Sequence, residues 1–174
     1  MREALEFQTE VLQGFSDEAV KEILKLEPFF PLNIREGEDK TREHLNEPSC
    51  INIILKKDNR IVGYILAIPH NDAVKELQND DTEMREDSNR YYIDKVVVAP
   101  EYRKGLVLLK LVYATFEEGV RRGINKFSSH VLSTNGLNKL MTRIFGKQLT
   151  ERRKVSLAIY DNAPFEYMEL TYKK

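Results

Sequence analysis

The 174-residue chain has one cysteine, Cys50, and three histidines far apart in sequence, His44, His70 and His130. A single thiol excludes an intrachain disulfide and any cluster held by several thiolates. Cys50 reads instead as a small core or strand residue. The histidine spacings match no zinc-ligand pattern, so no metal is expected. No apolar run approaches the roughly 20 residues that span a bilayer. The opening Met1-Arg2-Glu3-Ala4-Leu5-Glu6 is acidic and lacks the apolar stretch of a secretory signal. The expectation is a cytoplasmic protein with no membrane partner. Internal repeats and low-complexity segments are missing too.

What the chain does contain is a soluble globular mix, 41% hydrophobic and 32% charged, at a length that suits one domain over residues 1–174. Such a chain buries roughly 70% of its unfolded surface. Its formal net charge of −1 conceals an asymmetry. Residues 1–90 hold 12 Lys+Arg against 20 Asp+Glu, and residues 91–174 hold 15 against 8. The balances are −8 and +7. A split of this kind argues against uniform nucleic-acid binding and for an anionic partner on the second half. That half also lacks a regular basic stripe or a nucleic-acid motif, so no nucleic acid is expected.

Hydrophobic periodicity orders the elements. Leu5–Val11 alternates as a strand, and Ser16 caps a helix through Val20, Ile23 and Leu24. Pro28-Phe29-Phe30-Pro31 stops it, and a charged helix runs from about Glu36 to Leu45. Two nearly continuous apolar strands, Ile51–Lys56 and Ile61–Ile68, flank the polar turn Lys57-Asp58-Asn59-Arg60. Residues 71–90 form an acidic insertion with a short helix near Ala73–Leu77. Tyr91–Ala99 is the strongest strand signal, aromatic and then β-branched. A helix follows on Leu108, Leu109, Val112, Phe116 and Val120, with Gly123 suited to its C-terminal cap. Ile124–Val131 is a strand. Thr134 or Asn135 caps a helix ending at Gly146, and strands near Val155–Tyr160 and Phe165–Tyr172 close the chain. The expected fold is α/β (α+β): a mixed, mostly antiparallel sheet of about seven strands with helices on both faces.

The turn Pro100-Glu101-Tyr102-Arg103-Lys104-Gly105 lies between the strongest strand and the clearest helix. A helix N-terminus offers free N–H groups and positive potential, and Arg103 and Lys104 add cations, so the place suits a phosphate or pyrophosphate. An ordinary β–α turn with a solvated basic pair is the alternative. The turn has neither the Lys-Ser/Thr ending of a nucleotide P-loop nor the three glycines of a dinucleotide fingerprint.

Ile93–Gly105, the helix after it, and Asn135-Gly136-Leu137-Asn138 with Phe145-Gly146 resemble the fourth strand, acyl-CoA loop and following helix of the GNAT N-acyltransferase superfamily. Asn135 and Gly146 keep the family's spacing. Three positions depart from it. The loop is one residue shorter between Arg103 and Gly105, Val107 replaces the second small residue, and Thr142 stands where a tyrosine is common. The resemblance implies an acyl-CoA-dependent N-acyltransferase, with acetyl-CoA or another acyl-CoA as co-substrate. The pantetheine would pair with the backbones of Val96 and Val98. Arg103, Lys104, Gly105, Leu106 and Val107 would wrap the pyrophosphate, and Asn135 would lie beside the cofactor arm. Lys139 and Arg143 either reach the outer phosphate or form a solvated face.

The implied reaction is direct attack of a primary amine on the thioester, which needs a group to take the amine's proton. Asp94 is the first candidate and His130 the second. Asp94 paired with Lys95 is the structural alternative. Thr142, Tyr160 or Tyr167 could protonate the leaving thiolate, and a backbone N–H near Val98 could polarise the carbonyl. The acidic first half suggests a cationic acceptor such as a polyamine, an aminoglycoside-like amine or a lysine side chain. A non-catalytic acyl-CoA-binding or regulatory module on the same fold is the alternative function. The fold allows a homodimer.

Overall fold

In the computed structural model, which describes residues 7–14, 16–30, 35, 37–103, 106–134 and 136–173, local signals become elements much as their patterns dictate. The strands are β1 (Gln8–Leu12), β2 (Ile51–Lys57), β3 (Arg60–Pro69), β4 (Arg90–Val98), β5 (Lys126–Leu132), β6 (Leu149–Leu157) and β7 (Ala163–Thr171). The helices are α1 (Asp17–Leu24), α2 (Glu38–Asn46), α3 (His70–Leu77), α4 (Val107–Arg121) and α5 (Leu137–Phe145). Ser16 caps α1 as expected, its side chain accepting the Ala19 N–H at 3.1 Å. Gly123, at φ +86°, ends the α4 segment in the left-handed conformation that glycine adopts without steric cost.

Three details differ from the sequence pattern. The β2–β3 turn contracts to Asp58-Asn59, both at positive φ, because a two-residue turn of this hand follows the twist of the strands it joins. The residue capping α5 is Gly136 at φ +77°, not Thr134 or Asn135, and no side chain bonds to that cap. Asn135 lies outside the described residues, as do Lys104 and Gly105. β6 begins at Leu149 and ends at Leu157, ahead of the expected Val155–Tyr160. Its Thr150–Lys154 stretch is polar because β6 is the last strand of the sheet, paired only with β7 among the described strands.

The seven strands form one mixed sheet in the order β1-β2-β3-β4-β5-β7-β6. The β1–β2, β2–β3, β5–β7 and β6–β7 pairs are antiparallel, while β4 and β5 run parallel. Packing divides the chain into two compact units. The first comprises Met1–Ala67 with Lys95–Arg121, and the second Ile68–Asp94 with Arg122–Lys174.

In the first unit α4 packs against β1 and β2. Its core includes Val20, Ile23, Ile51, Ile53, Leu55, Leu111 and Phe116, each at most 1% exposed. Gly63 lets α4 approach. A Cβ there would stand 3.1 Å from both Leu111 Cδ1 and the Val97 carbonyl oxygen. In the second unit α5 lies on β5, and Phe127, Phe145 and Tyr167 are the large buried side chains. Asn138 Nδ2 donates to Glu166 Oε2 at 2.9 Å, and Arg152 pairs with the same carboxylate, so α5 is tied to the closing hairpin.

Candidate active site

Strand alternation sorts the candidates on β4. Tyr91, Ile93, Lys95 and Val97 share one side, and Tyr92, Asp94, Val96 and Val98 the other. The strand is continuous from Arg90 to Val98, so Asp94 keeps the parity of Val96 and Val98. Asp94 and Val96 are half-buried, whereas Val98 is buried. Lys95 is buried on the opposite side, with its Nζ 3.1 Å from Glu27 Oε1 and 5.3 Å from the centre of the Phe30 ring.

The β4–β5 ladder is short. Arg90, Tyr91 and Tyr92 pair with Lys126, Phe127 and Ser128, and among the described residues the pairing ends there. β5 remains paired with β7 as far as Leu132 and Phe165. Side chains also link the two strands: Ser129 Oγ donates to the Ile93 carbonyl at 2.9 Å.

Beyond β4, the Ala99 N–H donates to the Val62 carbonyl at 2.8 Å, and a short 3₁₀ turn runs through Pro100–Tyr102. Arg103 then folds back. Its Nε donates to the Val98 carbonyl at 2.8 Å, and its guanidinium carbon stands 5.8 Å from the centre of the Phe29 ring. That carbonyl retains a second lone pair. Leu106 is 63% exposed, and Val107, the first residue of α4, is half-buried.

His130 is engaged on both nitrogens. Nε2 is 2.9 Å from Asp81 Oδ2, and Nδ1 is 2.9 Å from the Tyr92 hydroxyl. Arg153 grips Asp81 from the other side, with Nη1 2.7 Å from Oδ1 and Nη2 2.5 Å from Oδ2. Its guanidinium carbon also lies 4.4 Å from the centre of the Tyr167 ring, which is itself 4.9 Å from the His130 ring. Burial opposes ionisation of Asp81. The bonds from His130 and Arg153, with the charge of Arg153, outweigh it and hold this carboxyl well below the usual carboxylate range. Burial pushes the His130 imidazole below its ordinary value, and the bond and charge of Asp81 only partly oppose that. Burial, with the charge of Asp94, keeps the Tyr92 phenol protonated far above its ordinary range.

Two other candidates, Thr142 and Tyr167, have committed their protons. Thr142 Oγ1 donates to the Asn138 carbonyl at 2.8 Å, within α5. The Tyr167 hydroxyl donates to Glu169 Oε1 at 2.7 Å. Tyr160 packs its ring 5.5 Å from that of Phe165. Lys139 and Arg143 are exposed on one side of α5. Asp81, Arg153 and Tyr92 were not singled out by sequence reasoning. No spacing signals them, because Asp81 lies 49 residues from His130 and 72 from Arg153.

His70 forms a second buried imidazole site. Nε2 is 3.0 Å from the Arg85 carbonyl, so it carries the proton, and Nδ1 accepts from the Ser128 hydroxyl at 2.8 Å. Burial lowers its proton affinity, opposed in part by the bond to Arg85. Both His70 and His130 therefore bind a proton less readily folded than unfolded. For such groups the unfolded state takes up more protons as pH drops below about 6.5, so stability is complete above that pH and declines below it. Urea midpoints are expected to change little from pH 7.5 to about 6.5 and to fall from there to pH 5. A constant or rising midpoint over that range would contradict neutral burial of the two rings.

Comparisons with known proteins agree with this fold. No curated protein matches the sequence. The family model described as the Acetyltransferase (GNAT) family matches residues 18–146. Among solved structures, a chain of the NatC complex bound to Gag peptide and CoA is similar at 16% identity, covering 97% of this chain and 99% of that one, with a TM-score of 0.70. The ribosomal-protein-S18-alanine N-acetyltransferase from Escherichia coli is similar at 11% identity, covering 96% of each chain, with a TM-score of 0.64. PaiA N-acetyltransferase from Thermoplasma acidophilum, in complex with coenzyme A, is similar at 12% identity, covering 95% of this chain and 99% of that one, with a TM-score of 0.63. At such identities these likenesses concern the fold, while the family model concerns the sequence itself. With its mixed seven-stranded sheet, its short β4–β5 ladder and this match, the chain belongs to the GNAT acetyltransferase family.

Proposed function

We propose that this enzyme transfers an acetyl group from acetyl-CoA to a primary amine by direct attack of the amine on the thioester. The observation that carries the reading is the early end of the β4–β5 ladder after Tyr92 and Ser128. It leaves Ile93–Val98 outside that ladder, with Asp94, Val96 and Val98 in one parity. In this reading the backbones of Val96 and Val98 take the pantetheine amides, Arg103–Val107 receive the pyrophosphate, and Asn135 borders the arm. A CoA carries about four negative charges, which suits the basic second half of the sequence.

The amine must be neutral to attack, and Asp94 takes its proton directly or through water. The thioester carbonyl is polarised by a backbone N–H near Val98. As the C–N bond forms, the C–S bond breaks, and the thiolate departs without a strong acid because a thiol's pKa is only about 8.5. The protons committed by Thr142 and Tyr167 to their own neighbours agree with a step that demands no dedicated acid.

The acceptor is cationic in the resting state in this reading, a polyamine, an aminoglycoside-like amine or a lysine side chain, on the strength of the −8 balance of residues 1–90. Thiol release from acetyl-CoA, followed with a panel of amines, tests both parts. Turnover with polyamines above that with neutral and acidic amines is expected. Binding of acetyl-CoA without release of its thiol in the presence of any amine would refute catalysis, and equal rates across the panel would refute the cationic preference.

A further inference from the structure

β6 has a neighbour on one side only among the described strands. Every second residue of such a strand turns its N–H and C=O outward, a ready template for a further strand. β6 is nine residues long, has no proline, and shifts register once, between Leu149 and Glu151. The short or proline-broken edges that discourage pairing are therefore missing here. What guards this edge is charge, and the charge has one sign.

Strand parity sorts those charges. On one side, Glu151 accepts from Arg153 Nε at 2.8 Å, and Arg153 also grips Asp81. On the other side stand Arg152, Lys154 and Ser156, all exposed, in the parity of Glu166 on β7. Glu166 is the one carboxylate of α5, β6 and β7 on this side, and Arg152 and Asn138 already bind it. Lys154 faces Glu166 across the ladder and has no ion pair among the described residues. α5, tied to Glu166 through Asn138, carries the exposed Lys139 and Arg143, and Lys147 follows at the same four-residue step. The open edge is thus flanked by cations in excess of their carboxylates.

We propose that the outer edge of β6 is a docking surface for an extended acidic segment of another protein, which adds to the sheet as a strand. Same-face residues of a strand recur about every 6.7 Å. Arg152 and Lys154 share that step, so a Glu-x-Glu segment sets its carboxylates against them while its backbone pairs with the edge. A second copy of this chain suits the edge poorly. Full antiparallel overlap of two β6 strands sets Arg153 against its own counterpart and Arg152 against the counterpart of Lys154, and like charges directly opposite are destabilising. The inference stands apart from acetyl transfer, whose proposed acceptor has the opposite charge.

Fluorescence anisotropy of a labelled, alternating Glu-Val peptide as long as β6, with its N-terminus blocked and no lysine, tests the surface. Such a peptide offers no amine to acetylate, so its binding and turnover are read separately. The full chain is expected to bind it and to ignore the matching Lys-Val peptide. A version with proline for every valine keeps the charge but cannot pair as a strand, and it is expected not to bind. Hydrogen exchange should slow at backbone amides within Leu149–Leu157 when the Glu-Val peptide is added. Lys154→Gln removes an exposed, unpaired cation and is expected to weaken the peptide about two- to fivefold, the range for one exposed ion pair. Equal binding of the proline version or of single-stranded RNA would mean that charge alone acts, and would overturn strand addition. Absence of Glu-Val binding, or binding that leaves the β6 amides unprotected, would overturn it as well. A dimer of the chain with those amides protected before any peptide is added would give the edge to a second copy instead.

Discussion

Lys95→Met is expected to lower the unfolding free energy by about 3–5 kcal/mol, the usual cost of breaking a buried ion pair by removing one partner. The Lys95 and Glu27 side chains are only 3% and 10% exposed, with 3.1 Å between Nζ and Oε1. The substitution removes the cation and leaves a carboxylate where water cannot readily resolvate it. The head of Lys95 also faces the Phe30 ring. Methionine replaces most of the stem, so lost packing should contribute little. The Lys95→Met/Glu27→Leu double variant is accordingly expected to recover most of the loss, because no lone charge remains to be buried. Urea unfolding of the two single variants and the double one closes the cycle. A loss below about 1 kcal/mol in Lys95→Met would mean that the pair behaves like a surface ion pair.

Asp94→Asn is expected to reduce kcat/KM roughly 10²–10⁴-fold, the range for removing a positioned proton acceptor, while leaving acetyl-CoA affinity unchanged. The substitution is nearly isosteric on a half-buried strand position, so the fold should persist. The carboxylate also acts on Tyr92, whose phenol its charge helps to keep protonated. A neutral amide at position 94 thus removes the amine's proton acceptor while Tyr92 remains a donor to His130. Thiol release measured over a pH series distinguishes this from a binding defect. A base mutant loses the limb of kcat/KM set by its own titration, whereas a binding mutant keeps the profile and shifts KM. A wild-type rate in Asp94→Asn would move the proton acceptor elsewhere.

Much of the architecture was readable in the chain because the signals were local. Ser16 at a helix start, Asp58-Asn59 between two apolar runs, and the period of Leu109, Val112 and Phe116 each depend on neighbours within a turn or a hairpin. The strand Arg90–Val98 and the family match also follow from contiguous residues. β6 was misplaced for a related reason. Its Glu151-Arg152-Arg153-Lys154 run is charged because it forms the border of the sheet, and an apolar pattern cannot reveal a strand whose outward residues meet water.

The proton assignments were not local. His130 stood out in the sequence only as a histidine late in a strand, with a proton acceptor as its natural role. Its partners come from the acidic insertion, from β4 and from the closing hairpin, 49 and 38 residues away for its two direct contacts. The insertion looked like a bulk negative patch, yet its Asp81 is buried and held by Arg153 and His130. Thr142 occupied the position of a common proton donor, but its hydroxyl is bonded within its own helix.

The sequence by itself determined the order of strands and helices and the family. These depend on backbone periodicity and on contiguous motifs. Only the tertiary structure decided where the β4–β5 ladder ends, that Lys95 answers Glu27, and which way the protons point from Arg153 to Tyr92. Hydrogen-bond direction is settled by what each group faces, and those groups meet only after the sheet has formed.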